Sequence, residues 1–359
     1  MLLEGHAVRT NILIIGAGQA GLAAAYALKK QGLTFLIVDA GIKIGDSWRN
    51  RYDNLTLFTP RSISALSDMP LVGDANGFAG KDEFADYLRR YASFHNLPVI
   101  SSKKVVRLEK AGSLFVASTQ DGDRLTSHIV IVATGAFSTP RIPELSKLLP
   151  ADIQQMHVAE FRNPGSVAKG PVLVVGDGAS GRDVAIAMAG FQQVLLARGR
   201  KRRLLPEKIL GRSLWVWLGQ LGLLRASAQG IIGRRMRRAD PFPVRGNDDA
   251  SLRRLGVILK PRLAAIHDRG ASFADGSSEN IRSIVWATGY ADELPWIEVE
   301  GAVDARAVPI HSNGISPVAG LYYVGRPWQR NRASGLIAGA ADDAAFIVEH
   351  IRQRCLQSL

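Results

Sequence analysis

The chain has 359 residues, 47% hydrophobic and 21% charged, an ordinary globular composition that excludes a disordered chain and suffices for two domains with separate cores. Its 45 lysines and arginines against 32 aspartates and glutamates give a formal net charge of +13, which calls for an anionic partner such as dinucleotide phosphates, an acidic substrate or a membrane surface. A single cysteine, Cys355, excludes an intrachain disulfide, a catalytic CxxC pair and a cysteine-ligated iron–sulfur centre.

The first elements predicted are a buried parallel strand over Asn11–Ile15, a helix over Ala20–Lys30 and a second buried strand over Thr34–Asp39. The apolar run has no basic segment in front of it and its glycines are spaced for a phosphate turn, so it reads as strand–turn–helix rather than a signal peptide. Between strand and helix stands Gly16-Ala17-Gly18-Gln19-Ala20-Gly21, a complete GxGxxG. The first glycine allows the tight turn, the second lets backbone approach a pyrophosphate, and the third lets helix and strand pack closely. Asp39 closes the second strand, where an acid bonds a ribose hydroxyl and repels a 2′-phosphate, so this site prefers FAD or NAD over NADP.

A strand over Ile129–Ala133 then ends in a glycine turn, with a proline-rich crossing from Pro140 to Pro143. A similar punctuation returns at 281–297. Between them a second unit is predicted: strand Pro171–Val175, helix Ser180–Ala189 and strand Gln193–Ala197. Its turn is Gly176-Asp177-Gly178-Ala179-Ser180-Gly181, in which Asp177 must point away from a pyrophosphate. Here the second strand ends in Arg198, Arg200, Lys201, Arg202 and Arg203 instead of an acid. Arginines at this point suit the 2′-phosphate of NADPH; a solvated basic loop is the alternative. The fold class expected is α/β, with two Rossmann-like dinucleotide-binding domains: an FAD domain over 1–142 and 288–359, and an NADPH domain over 143–287 inserted in it.

The segment "GDSWRNRYDNLTLFTPR", with "FADYLRRYASFHNLPV", "ATGAFSTPRIPEL", "MHVAEFRNP", "GDGASG", "WATGY" and the C-terminal "GLYYVGRPWQRNRASGLIAGAADDAAF", resembles the class B flavin monooxygenases across essentially the whole chain. The likeness is to short bacterial CzcO-type flavoproteins and plant YUCCA-type monooxygenases. The resemblance implies FAD and NADPH as cofactors, and a C4a-(hydro)peroxyflavin that passes one oxygen atom to a small organic substrate of N-, S- or 2-oxo-acid type. It implies FAD contacts at Gly16, Gly18, Gln19, Ala20, Gly21, Asp39, Ser47, Trp48, Arg49, Val106, Thr134, Gly135, Gly325, Ser334, Gly335 and Leu336. It implies NADPH contacts at Gly176, Gly178, Ala179, Ser180, Gly181, Arg198, Arg200, Thr288 and Gly289. Trp48, Asn54, Phe58 and Thr59 are the candidates beside the flavin.

Two departures qualify the likeness. The family fingerprint FxGxxxHxxx(F/Y) keeps His157 and Phe161 but has Ala151 and Ile153 in place of Phe and Gly. His157 is therefore read first as a structural histidine holding a linker turn. Phe58 stands where animal-type members carry an asparagine, and it cannot donate a hydrogen bond. The apolar stretch Arg212–Arg225 reads as a lid, a membrane-surface helix or, preferred, a helix packed in the core of the inserted domain. Partners expected are the small substrate and molecular oxygen, with no nucleic acid, no membrane span and no metal, in a cytoplasmic setting. Two other functions stay open: an NADPH-dependent reductase or oxidase that releases hydrogen peroxide, and a flavin-binding accessory protein linked to metal resistance.

Overall fold

Apolar, β-branched runs punctuated by glycine turns give two parallel-cored sheets buried on both faces. The computed structural model describes residues 7–199, 204–239, 242–268 and 270–357. The first strand spans Ala7–Ile15 and the second Phe35–Val38, joined by helix Gln19–Lys30. The first strand begins before the expected Asn11 because its polar half, Ala7–Thr10, pairs with Arg124–Ser127; alternation of half-buried and exposed positions there hides the strand from an apolar-run reading. The helix stops where Leu33 N–H donates to the Leu28 carbonyl at 3.1 Å and Gly32 takes φ +68°, a left-handed stop that a β-carbon resists.

The first sheet runs in the order Val99–Ile100, Phe35–Val38, Ala7–Ile15, Arg124–Val132, Leu114–Thr119, Val105–Ala111. Strand Arg124–Val132 shares its outer edge between two partners. Its first half pairs antiparallel with Phe115–Ser118, and Val130–Val132 pairs parallel with Leu321–Tyr323. The chain thus returns to its first sheet after building the second. The C-terminal helix Ile337–Gln357 then covers this sheet beside Gln19–Lys30, burying Ala340, Ala344, Ile347 and Ile351 in the same core as Ala24 and Leu28.

The second sheet is parallel throughout, in the order Ile258–Lys260, Val194–Ala197, Val172–Val175, Ser283–Trp286, Gln154–His157. Helix Ala179–Ala189 connects strand Val172–Val175, which ends in the Gly176–Gly181 turn, to strand Val194–Ala197. The two proline-rich crossings meet: Thr139–Pro140 pairs antiparallel with Tyr290–Ala291, and Arg141 N–H donates to the Gly289 carbonyl at 3.0 Å. The chain therefore leaves and re-enters the first unit through one two-stranded ribbon.

Segment Arg212–Arg225 departs from the expectation of a single helix in the inserted core. It forms the two-residue strand Arg212–Ser213, helix Leu214–Gln220 and a 3₁₀ turn Leu223–Arg225, broken where Gly222 takes φ +71°. Trp215 and Leu224 pack against Ala333, Leu336 and Ile63, which are residues of the first unit. An apolar pattern says that a face is buried but not against which core.

Candidate active site

The two glycine turns have one steric design. A β-carbon at Gly16 would lie 2.7 Å from the Ala133 carbonyl oxygen, and Gly16 takes φ +109°. Gly176, at φ +106°, abuts the Ala287 carbonyl in the same way. A β-carbon at Gly21 would overlap the Gly16 carbonyl oxygen, and one at Gly181 that of Gly176. Gly18 and Gly178 differ: nothing lies within 4 Å of an added β-carbon at either. Both sit at helix N-termini that no side chain caps, so free N–H groups and the positive end of a helix face open space. Each turn is a cradle of the size and sign that a dinucleotide pyrophosphate needs.

The strand ends beside the turns differ in charge. Asp39 accepts hydrogen bonds from Ala17 N–H at 2.6 Å and Gly41 N–H at 2.8 Å, which fixes its carboxylate next to the first turn. In the second unit the acid has moved into the turn. Asp177, 8% exposed, accepts from Gly199 N–H at 3.2 Å, so it ties turn to strand end from the opposite side. That exchange leaves the strand end for Arg198, whose guanidinium meets Asp249 at 3.0 Å. Asp249 is also held by Arg182 at 2.8 Å, and Arg182 is 2% exposed. The arginine predicted for a 2′-phosphate is therefore already oriented. Arg200, Lys201, Arg202 and Arg203 lie outside the described residues.

Of the predicted wall residues, Thr134, Gly325, Thr288 and Trp48 border these turns. Thr134 follows the Ala133 carbonyl that abuts Gly16, and Gly325 sits against Ala20. Thr288 stands in the same relation to Gly176. Trp48 Nε1 donates to Gln19 Oε1 at 3.3 Å, and its ring meets Phe84 edge-on at 4.9 Å, so it serves both the first turn and the core. Arg49 is engaged in an ion pair with Asp86 at 2.6 Å, and Ser47 is exposed. Ser334 is buried and braces its own loop, accepting from Arg330 N–H at 3.1 Å just before Gly335, Leu336 and the C-terminal helix. Val106 lies at an irregularity of strand Val105–Ala111 with its side chain exposed.

Among the flavin-side candidates, Thr59 is buried and shares its hydroxyl with Ser64 at 2.8 Å, while Asn54 is exposed. Phe58 is 43% exposed and its ring lies 5.6 Å from that of Trp215, so the two form one aromatic wall between the units. A separate cleft of about 590 Å³ is bounded by Phe78 of the first unit and by Leu205, Glu207, Val244 and Arg245 of the second. Arg245 lies over the Phe78 ring at 3.9 Å and bonds to Thr56, and burial lowers its pKa.

Sequence reasoning missed Tyr52, which ties the two units together, and Arg326, which braces the returning crossing, while the contacts of His157 fit its reading as a structural histidine at a linker turn. Tyr52 leaves the first unit to pack with Phe161 and Val184, donating to Asp183 at 3.0 Å; burial pushes both the phenol and the carboxyl of Asp183 up. Arg326, 1% exposed, bonds to the Gly135 carbonyl at 2.9 Å and pairs with Asp292 of the returning crossing. His157 Nε2 donates to the Gly289 carbonyl at 3.0 Å while Nδ1 accepts from Ala159 N–H at 3.2 Å, the pattern of a neutral ring, and burial lowers its pKa. Its ring also meets Tyr290 at 4.9 Å, so it braces the returning turn. The only sequence signals for these contacts lay in the "NRYDN", "GRPW" and "WATGYADEL" strings themselves.

Asp343, 1% exposed under the Ser334 loop, carries a pH signature. Burial pushes its carboxyl from 3.8 up to about 6, against the opposing pull of Ser334 and Arg330. A carboxyl raised in the folded state favours folding while protonated, so this contribution is present below about pH 4 and lost as pH rises to about 6. Asp343→Asn should gain on the natural protein by on the order of 3 kcal/mol across that window and hold the gain above it. Denaturant midpoints measured at several pH values check this; a difference that does not vary with pH contradicts it.

Comparison with known proteins agrees with this geometry. The family profile described as pyridine nucleotide-disulphide oxidoreductase matches residues 13–203, although the lone cysteine removes the disulfide chemistry from that description. The CzcO-like oxidoreductase of Geobacillus kaustophilus is 40% identical over 95% of this chain and 98% of its own. Indole-3-pyruvate monooxygenase YUCCA4 of rice is 26% identical over 95% of this chain and 87% of its own. The solved flavin-containing monooxygenase of Stenotrophomonas maltophilia superposes with a TM-score of 0.81 at 22% identity, covering 97% of this chain and 99% of that one. The chain shares their architecture of two dinucleotide-binding units, and it belongs to the class B flavin-dependent monooxygenase family.

Proposed function

We propose that the chain is an NADPH-oxidising monooxygenase that holds FAD at the Gly16–Gly21 turn and NADPH at the Gly176–Gly181 turn. On this reading the first unit is residues 1–142 with 288–359, and the second is 143–287. One observation carries it: two cradles of identical steric design bear opposite charges at the strand end, Asp39 at one and Arg198 at the other. Only the second welcomes a 2′-phosphate.

Bound FAD would supply two-electron chemistry, by which the electrons of NADPH reduce dioxygen so that one oxygen atom passes to a small N-, S- or 2-oxo-acid substrate and the other leaves as water. The protein's own part is alignment and exclusion of water. Free N–H groups of the two helix starts hold the pyrophosphates. Asp39 receives a ribose hydroxyl and Arg198 a phosphate. Tyr52–Asp183 ties the two units together, Arg326–Asp292 braces the returning crossing within the first unit, and Phe58 with Trp215 forms an aromatic contact between the units.

Oxygen stoichiometry tests the proposal. With thioanisole, N,N-dimethylaniline and indole-3-pyruvate as probes, at least one should yield oxygenated product in proportion to NADPH consumed. Full conversion of the electrons to hydrogen peroxide with every probe would support the oxidase reading instead.

A further inference from the structure

We propose that the segment between Glu207 and Asp240 is a docking surface for an anionic lipid bilayer. Residues 208–239 carry Lys208, Arg212, Arg225, Arg234, Arg235, Arg237 and Arg238 and no carboxylate. This short stretch supplies +7 of the chain's formal net charge of +13. Only Arg225 meets a carboxylate among the described residues, Asp342 at 2.6 Å.

The same segment turns large apolar side chains outward. Leu210 is 88% exposed, Ile231 79%, Leu221 68% and Ile232 51%. Helix Ile231–Ala239 rests on the protein through Gly233, which is packed on the Ser227–Ala228 backbone, and through Met236, which faces Trp215 and Trp328. At 100° per residue the opposite side presents Ile231, Arg234, Arg235 and Arg238. Cations interleaved with outward aliphatic side chains on a surface helix are the chemistry of a bilayer interface: phosphates take the guanidinium groups and the acyl boundary takes Leu and Ile. Among the described residues no helix is long and apolar enough to cross a membrane, so the contact is peripheral.

Charge separates this occupant from its rivals. A second copy meeting the patch face to face would set like charges against each other. A nucleic acid would accept the arginines but leave Leu210, Leu221 and Ile231 exposed to water. The proposal stands apart from the monooxygenase reading, because docking needs no turnover.

Flotation of the full-length flavoprotein tests it, using phosphatidylcholine vesicles with and without phosphatidylglycerol (about three to one). The protein should float only with the anionic vesicles. Replacing Arg234, Arg235 and Arg238 by Gln should weaken binding on the order of a hundredfold. The double variant Ile231→Ser, Ile232→Ser should weaken it at least about tenfold while leaving retention on duplex DNA unchanged. Flavin content and thermal midpoint, unchanged in these surface variants, show that they fold. Absence of flotation, or vesicle binding indifferent to the isoleucine variant, overturns the proposal; strong retention on DNA with no flotation would assign the patch to nucleic acid.

Discussion

Replacing Gly21 with alanine is expected to abolish the soluble flavoprotein, whereas alanine at Gly18 is expected to leave a folded protein that releases FAD. The two glycines sit three residues apart in one motif, yet their surroundings are opposite. The β-carbon introduced by Gly21→Ala would overlap the Gly16 carbonyl oxygen and press on Ala133, both fixed in the first turn and its neighbouring strand. Relieving that overlap means parting helix Gln19–Lys30 from the sheet, at a cost of about 3 kcal/mol or more. The β-carbon introduced by Gly18→Ala meets no protein atom within 4 Å, so folding is unaffected. It does occupy the space where a pyrophosphate must approach backbone N–H groups. Losing one or two charge-assisted hydrogen bonds should weaken FAD roughly a hundredfold. Thermal melts and flavin content after gel filtration separate the outcomes. Equal folding with equal flavin content in both variants would remove the first turn as the cofactor cradle. The same contrast is expected between Gly181 and Gly178 for NADPH.

Arg198→Ala should raise KM for NADPH about thirtyfold or more and leave KM for NADH nearly unchanged, because it removes a guanidinium from the place proposed for the 2′-phosphate and nothing that both nucleotides are proposed to share. Arg182 and Asp249 orient the side chain in advance, so most of its affinity is available without an ordering cost. A control separates this grip from the general field of a +13 protein. Arg238→Ala removes the same charge from an exposed helix and should change KM for the two nucleotides equally and slightly. If both substitutions alter NADPH and NADH alike, Arg198 is part of a solvated basic loop.

The glycine turns were legible in the sequence because each depends on an absent β-carbon, and absence of a side chain is written directly in the residue type. The two βαβ units followed from them, with boundaries displaced where a strand's polar half was hidden by its alternation, as at Ala7–Thr10. The two crossings were legible as punctuation, but not their pairing at Thr139–Pro140 and Tyr290–Ala291. What stayed hidden depends on partners distant in the chain. Asp177 looks misplaced in a phosphate turn until its partner, Gly199 N–H, is brought in from the next strand end. Tyr52 gives no sign in sequence that its hydroxyl reaches Asp183 across the unit boundary. The apolar pattern of Arg212–Arg225 points to the wrong core because Gly222 breaks the helix and turns Leu224 toward the first unit.

Anaerobic addition of NADPH to the purified protein tests most directly whether two different dinucleotides meet between the units. The protein should be yellow with bound FAD, and NADPH should bleach the flavin within the mixing time, with NADH acting far more slowly. A colourless protein that takes up no FAD, or a bound flavin that stays oxidised in excess NADPH, would contradict the account.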